Sequence, residues 1–315
     1  MQKSVFVVTK KKEFVNTVKK SVESSIGREK IEKFEICDPL EIEGKLSVKE
    51  RGVILWEVTD HVLNHERFKA PDKSEHAVAI IDGELDDLIN FWKKYPQFNY
   101  LLARKNYQFE KQLTSLLTHI SLNDSRVGIE AYLGRGSYVF SQKFKDYGLT
   151  KNYIEHIKAS AEKLDSFEHL PVAAATIAWE LIMNAMFDAP YDFEKKQAKY
   201  SNLPRTSDLV LQDSEAIEVS YGYDDKIFIV SVKDNFGMLK KDTIIQSLAR
   251  ASKQDQNQIK RGSVSAGVGL FMLLNATNQL DFYVKEKEYT HIIAVIHRHR
   301  RMREFEMGGK AINYF

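Results

Sequence analysis

The residues best placed to do chemistry sit in Pro171 to Asp188, PVAAATIAWELIMNAMFD. This stretch reads as a helix with proline in its first turn, where a missing N–H costs little. It is apolar nearly all the way round, which predicts a buried helix. Glu180 and Asn184 interrupt it, one turn apart on the same face. A carboxylate and an amide in such surroundings need partners. Asparagine is a poor helix former, so propensity does not account for it. One reading makes this face the wall of a polar site, with Asn184 on a metal ion and Glu180 beside it as a base. The other makes it a core helix whose two polar groups are satisfied internally.

Further candidates follow along the chain. The strand-like run Lys226 to Val232 leaves at Asp234-Asn235-Phe236-Gly237. A carboxylate at a strand end can accept from an exocyclic amine, and a glycine three residues later lets backbone approach a flat ring closely. Gly267-Val268-Gly269 runs straight into an apolar helix. Glycine there exposes N–H groups at the positive end of the helix dipole, which suits phosphate. Thr290 opens a late strand. Ser252 to Ala266 is polar and has the composition of a lid. Its Lys253, Lys260 and Arg261 either neutralise phosphate charge or are solvated loop residues. Each signal alone has an ordinary structural explanation, since Asp and Gly also simply end strands.

The elements that must position these groups fall into two parts, expected at 1–123 and 124–315. In the first, strand-like runs at Ser4–Thr9, Lys33–Cys37, Gly52–Val58, His76–Ile81 and Tyr100–Ala103 alternate with helical patterns at Glu13–Ser24, Leu85–Tyr95 and Phe109–Ile120. That alternation predicts an α/β domain, a five-stranded parallel sheet with helices on both faces. With Lys105 just after the fifth strand, it resembles a response-regulator receiver domain. The resemblance implies an acidic pair after strand one, a phosphorylated Asp after strand three and a Lys after strand five. Here the first place reads Thr9-Lys10-Lys11-Lys12, the third strand offers Glu57, and only Lys105 fits. Lacking the acidic pair, the domain has no evident Mg²⁺ site and reads as a pseudo-receiver with a binding role. Glu57 and Lys105 either form a permanent ion pair that imitates the phosphorylated state or are ordinary charges at strand ends.

In the second part, Val127–Leu133 and Ser137–Phe144 read as a hairpin about Gly134-Arg135-Gly136, followed by a helix at Thr150–Leu164 with Thr150 as N-cap. Ala189 to Asp213 is a long polar loop that either wraps the surface or reaches a partner. Strands follow at Ala216–Tyr221, Lys226–Val232, Leu280–Val284 and Thr290–Ile296, with helices at Asp242–Ala251 and Leu270–Asn275. The ordered set Glu180, Asn184, Asp234, Gly237, Gly267, Gly269 and Thr290 resembles the GHKL ATPase superfamily, which includes gyrase B subunits, histidine kinases, MutL-type proteins and anti-sigma-factor kinases. The resemblance covers roughly the second half of the chain. It implies an α+β domain of Bergerat type, a mixed sheet sandwiched with helices, that binds ATP with Mg²⁺. By that resemblance Asn184 holds Mg²⁺, Glu180 polarises water or a substrate hydroxyl, and Asp234 takes the adenine amine above Gly237. Gly267 and Gly269 hinge the lid on the phosphate side, and Thr290 reaches Asp234 or the adenine. Asp188 also belongs to the nucleotide site, in a role the motif leaves open.

Composition bounds the function. Hydrophobic residues make up 43% and charged residues 29%, as in ordinary globular proteins. A formal charge of +2 creates no field that demands nucleic acid or an anionic membrane. Cys37 is the one cysteine, which excludes an internal disulfide and fits a reducing cytoplasm. No signal-peptide core and no membrane span are evident. The basic run His297 to Arg303 reads as a solvated end near acidic neighbours, with nucleic-acid contact a distant alternative. His119 lacks the acidic or proline context of a phosphoacceptor box, and too little chain follows the ATP motifs for a transducer domain. The expectation is therefore a cytoplasmic bacterial signalling protein, a serine/threonine-type protein kinase or slow ATPase using ATP and Mg²⁺. The alternative is a nucleotide-gated scaffold without chemistry. A protein partner through the receiver-like domain or lid is expected, and the receiver resemblance adds a homodimer.

Overall fold

The computed structural model describes residues 3–9, 11–26, 31–37, 52–58, 76–104, 109–122, 128–252 and 268–315. Lys105 and Gly267, with most of the expected lid, lie outside them. The protein is mixed α/β. It divides into two compact units, Met1–Asp124 with Gly308–Asn313, and Ser125–Met307 with Tyr314–Phe315.

The first unit contains β1 (Lys3–Val8), α1 (Lys12–Ile26), β2 (Ile31–Cys37), β3 (Gly52–Val58), β4 (His76–Ile81), α2 (Leu85–Lys94), β5 (Tyr100–Ala103) and α3 (Phe109–Leu122). Its strands lie in the order β2-β1-β3-β4-β5, and every pair is parallel. The runs Val5–Val8, Val53–Val58 and Ala77–Ile81 are buried residue after residue. A parallel sheet covered on both faces requires such unbroken apolar strands. Strand order reverses between β1 and β3, so a crevice opens at their carboxyl ends, the usual ligand position in this architecture. Residues 311–313, inside the expected second domain 124–315 but with an apolar tail open to docking on either part, pair antiparallel with β5 (Ala311↔Leu102, Asn313↔Tyr100).

The second unit is built from β6 (Tyr138–Phe144), α4 (Tyr147–Glu162), α5 (Leu170–Met183), β7 (Tyr191–Asp192), β8 (Gln197–Ala198), β9 (Ile217–Tyr223), β10 (Ile227–Asp234), α6 (Lys241–Ala251), α7 (Val268–Ala276), β11 (Gln279–Lys285), β12 (Tyr289–His297) and α8 (Met302–Glu306). Its sheet runs β11-β12-β10-β9-β6, antiparallel at each described pair rather than mixed. Helix α5 packs on β10 and is flanked by α4 and α7. A separate cluster of Ile129, Ile229, Tyr283, Ile293 and Val295 takes in Tyr132 and Phe315. Phe315 stacks on Tyr283 at 4.3 Å and 6°, and its N–H donates to the Phe282 carbonyl at 2.8 Å.

Several local expectations change. Ile129–Tyr132 is a 3₁₀ turn, not a strand, because Ile129 drops into the cluster just described. Helix α4 starts earlier, at the Asp146 cap, whose Oδ1 accepts from Gly148 N at 2.8 Å. Thr150 is buried inside that helix and donates to the Tyr147 carbonyl. Helix α5 is not buried all round: Val172 and Trp179, seven residues apart, share an outward stripe. The expectation that nothing approaches a membrane span also needs amending. Leu170–Asp188, 19 residues, is long and apolar enough by composition, and 56% of its most apolar 18-residue window is buried within the protein.

Phe315→Ala should lower unfolding free energy by about 2 kcal/mol, since it removes a stacked ring and leaves a void. Urea denaturation checks this, and Phe315→Leu should recover part of the loss.

Candidate functional site

The last turn of the site helix is not α-helical. Asn184–Asp188 forms a π turn, closed by Ala189 N donating to the Asn184 carbonyl at 2.9 Å. Such widened turns often lie at functional sites. The turn rests on β10, as α5 does, while Ala185, Met186 and Phe187 are buried. Glu180 and Asn184 are both half-buried. Among the described residues no side chain hydrogen-bonds to either of them. The internally satisfied core helix, the ordinary alternative for this pair, has no side-chain partners for it among the described residues.

Gly269 abuts the Glu180 carboxylate. A Cβ placed on Gly269 would fall 2.2 Å from Glu180 Oε2, so no larger residue fits while that carboxylate stays put. Gly269 lies in the first turn of α7, where N–H groups lack helical partners and the dipole favours negative charge. Burial pushes the Glu180 pKa up, Arg205 opposes that rise, and Asp188 adds to it. Arg205 was not anticipated. It arrives on the 189–213 loop and grips Asp188 with two contacts of 2.7 Å. It also donates to the Met183 carbonyl at 3.4 Å and lies over the Phe187 ring at 5.0 Å. Asp188, whose role was open, thus holds a guanidinium. That loop has no hydrophobic period, so nothing in the sequence brings Arg205 back to the helix.

Asp234 ends β10 and faces Thr290 across the antiparallel register. It is 6% exposed. Its Oδ1 accepts from Phe236 N at 2.8 Å and Gly237 N at 3.4 Å, and Thr290 contributes backbone and hydroxyl hydrogen bonds. Burial outweighs these donors and pushes its pKa up to about 6. Gly237 has φ +59°, and a Cβ there would lie 2.0 Å from the Lys285 carbonyl oxygen. Its glycine is thus already required by the backbone of the β11–β12 hairpin, whatever else approaches it.

These residues form two clusters on elements that share β10. Glu180 with Gly269, Asp188 and Arg205 gathers at the end of α5. Asp234, Gly237 and Thr290 gather at the end of β10. Among the described residues no group of three or more His, Cys, Asp or Glu could cage a metal. The Asn184 amide oxygen is a donor of the kind Mg²⁺ accepts, an ion that keeps few protein ligands.

In the first unit, Glu57 is buried at the carboxyl end of β3, the place where strand order reverses. Thr9 and Arg104 hydrogen-bond to it, and Lys11 Nζ lies 3.2 Å away. Lys105, the expected partner, lies outside the described residues. Arg104, which directly precedes it in sequence, hydrogen-bonds to Glu57. His119 is buried in α3. The basic run in the second unit is tied down internally. Arg298 donates to the Asp224 and Asp165 carbonyls, and Arg300 lies 3.4 Å from the Asp165 carboxylate.

Comparison of the sequence with protein-family models and with characterised proteins finds no match to either.

The raised Asp234 pKa sets a pH dependence. A carboxyl raised from 3.8 to about 6 keeps its proton in the folded state after the unfolded chain has released its own. Its ionisation therefore costs nothing below about pH 4, costs more as pH rises, and costs most above about pH 6. Relative to wild type, Asp234→Asn should gain up to about 3 kcal/mol between about pH 4 and 7. Urea melts across that range measure the difference. Gly237→Ala should cost more than about 2 kcal/mol through strain and collision, read as a fall in Tm.

Proposed function

We propose that this protein is a bacterial signalling protein of the GHKL type that binds ATP with Mg²⁺ through the second unit. It acts as a serine/threonine-type protein kinase or slow ATPase, governed by a receiver-like first unit that cannot be phosphorylated. The observation that carries the reading is the pairing of Glu180 and Asn184. They are half-buried and one turn apart, their side chains have no hydrogen-bond partner among the described residues, and Glu180 packs against Gly269 at a helix start. A site left open toward a ligand explains that arrangement better than a core helix does. The order of Asp234, Gly237 and Thr290 along β10 and β12 supports it further.

On this reading Asp234 accepts from the exocyclic amine of adenine and fixes the base. Asn184 supplies a protein oxygen to Mg²⁺, which when bound neutralises phosphate charge. Glu180 orients the attacking water or hydroxyl and takes its proton. Burial suits it to that task by raising its pKa toward the working pH. Arg205, anchored on Asp188, tempers the rise. Transfer of this kind depends chiefly on positioning and charge neutralisation.

A second reading is a nucleotide-gated scaffold in which ATP reshapes a binding surface without chemistry. The buried Glu57 constellation favours it, because Thr9, Lys11 and Arg104 already occupy the crevice where a receiver would be switched.

Calorimetry and turnover on the full chain separate these. Wild type should bind ATP with Mg²⁺, and Glu180→Gln should bind equally while turnover falls about 10²- to 10³-fold. Binding should tighten as pH rises through about 6, because ionised Asp234 accepts the amine more strongly than the protonated acid does, and Asp234→Asn should remove that dependence. Binding without turnover in wild type selects the scaffold. No binding at all sinks both readings.

A further inference from the structure

The second unit carries a cleft of about 910 Å³ whose lining shares Gly237 with the proposed nucleotide site but includes none of Glu180, Asn184, Asp234, Gly269 or Thr290. Its walls come from the β7–β8 hairpin, the loop from Gly237 into α6, and the β11–β12 hairpin. That volume suits a small organic ligand.

Its chemistry is one-sided. Lys196, Lys240, Lys241 and Lys287 line it against one carboxylate, Glu286, with Asp242 next in sequence to Lys241. Gathered like charges repel, so this lining is stabilised by an anion. Backbone conformation points the same way. Lys196 (φ 54°) and Lys287 (φ 60°) are the non-glycine residues with left-handed backbone among those described, and both line this cleft. Glycine or asparagine would take that conformation at lower cost. What lysine adds at both places is an ammonium. Burial also holds the Lys241 amine down to about 8. Three rings complete the lining, Tyr191, Phe193 and Tyr314, and Phe193 is 45% exposed.

We infer that this cleft binds an organic phosphate, a phosphomonoester on a flat ring, at a site that adjoins the nucleotide site proposed above at Gly237 but uses different charged groups. Tyr191, Phe193 and Tyr314 pack on the ring, and the four lysines share the phosphate charge. Glu286 disfavours ligands that carry a second anionic group on that side.

Pyridoxal 5′-phosphate is a direct probe, because it carries a ring, a phosphate and an aldehyde. Its aldehyde carbon bonds to a neutral lysine nitrogen and water leaves. Borohydride then delivers hydride to the imine carbon, and solvent supplies the proton on nitrogen. The full chain is incubated at about pH 8, reduced, and mapped by peptide mass spectrometry. Labelling should saturate and concentrate on Lys240 and Lys241. Pyridoxal, which lacks the phosphate, should label at least about tenfold less, and phenyl phosphate should protect. Lys196→Gly with Lys287→Gly should raise Tm by relieving the backbone, yet cut labelling about tenfold. Glu180→Gln should leave labelling unchanged. Even labelling of exposed lysines, equal labelling by pyridoxal, or full labelling in the double glycine variant would overturn the proposal. Protection by ATP that phenyl phosphate does not give would also overturn it, by assigning the cleft to the nucleotide site.

Discussion

A carboxylate taken out of water must be met by donors, and Asp234 shows how much structure that constraint can organise. It sits at the end of β10, where the ladder hydrogen bonds stop, so its donors must come from the chain that follows and from the neighbouring strand. Phe236 and Gly237 turn back to supply two N–H groups, and Thr290 meets it from β12. That turn forces Gly237 into positive φ and brings its α-carbon against the β11–β12 hairpin backbone. The same loop then launches α6 from Lys241. One buried acid thus fixes a strand end, a hairpin and a helix start, which together make one wall of the lysine-lined cleft. The donors do not fully offset burial, since the pKa still rises to about 6. The remaining cost is what one more hydrogen-bond donor at this carboxylate would offset.

The parts of the fold legible in the sequence were those with a strong period. The strands of the first unit announce themselves as unbroken apolar runs, and the structure pairs them in parallel. The chain's last residues did not, because a short apolar tail carries no period and no sign of which strand it will join. The turn at Ile129–Tyr132 was misread for a related reason. Apolar residues that anchor a single 3₁₀ turn look like a short strand when only their types are known. The start of α4 was missed because Asp146 and Thr150 are both capping residues, and only the fold says which one caps.

The site was legible as residue types and not as contacts. Glu180, Asn184, Asp234 and Gly237 stand out because each breaks a local rule: polar groups in an apolar helix, an acid closing a strand, a glycine where the chain must turn. Gly269 stood out as half of a glycine pair, but its contact with Glu180 joins residues far apart in sequence. Arg205 could not have been found that way. Its loop is held at its base by Glu215, which Lys199 and Tyr200 engage, and none of those residues has a period to read. Asp188 likewise changes meaning once its partner is seen.

The glutamates separate structural acids from available ones. Glu57 and Glu215 are 4% and 3% exposed, and each has its oxygens met by side-chain donors. Glu57 receives a hydroxyl, a guanidinium and an ammonium. Glu215 receives an ammonium, a phenol and the Gln212 N–H, and its pKa is lowered accordingly. Removing either would strand buried donors, so their effect is on the fold. Glu180 is less deeply buried, has no side-chain hydrogen-bond donor among the described residues, and has its pKa raised. Arg205 acts on it only through space, because its own hydrogen bonds go to Asp188 and Met183. Its charge therefore limits how far burial can raise the Glu180 pKa without occupying the carboxylate. Committing Arg205 to Asp188 keeps the Glu180 oxygens open to a ligand, whereas a direct ion pair would have made Glu180 another Glu57.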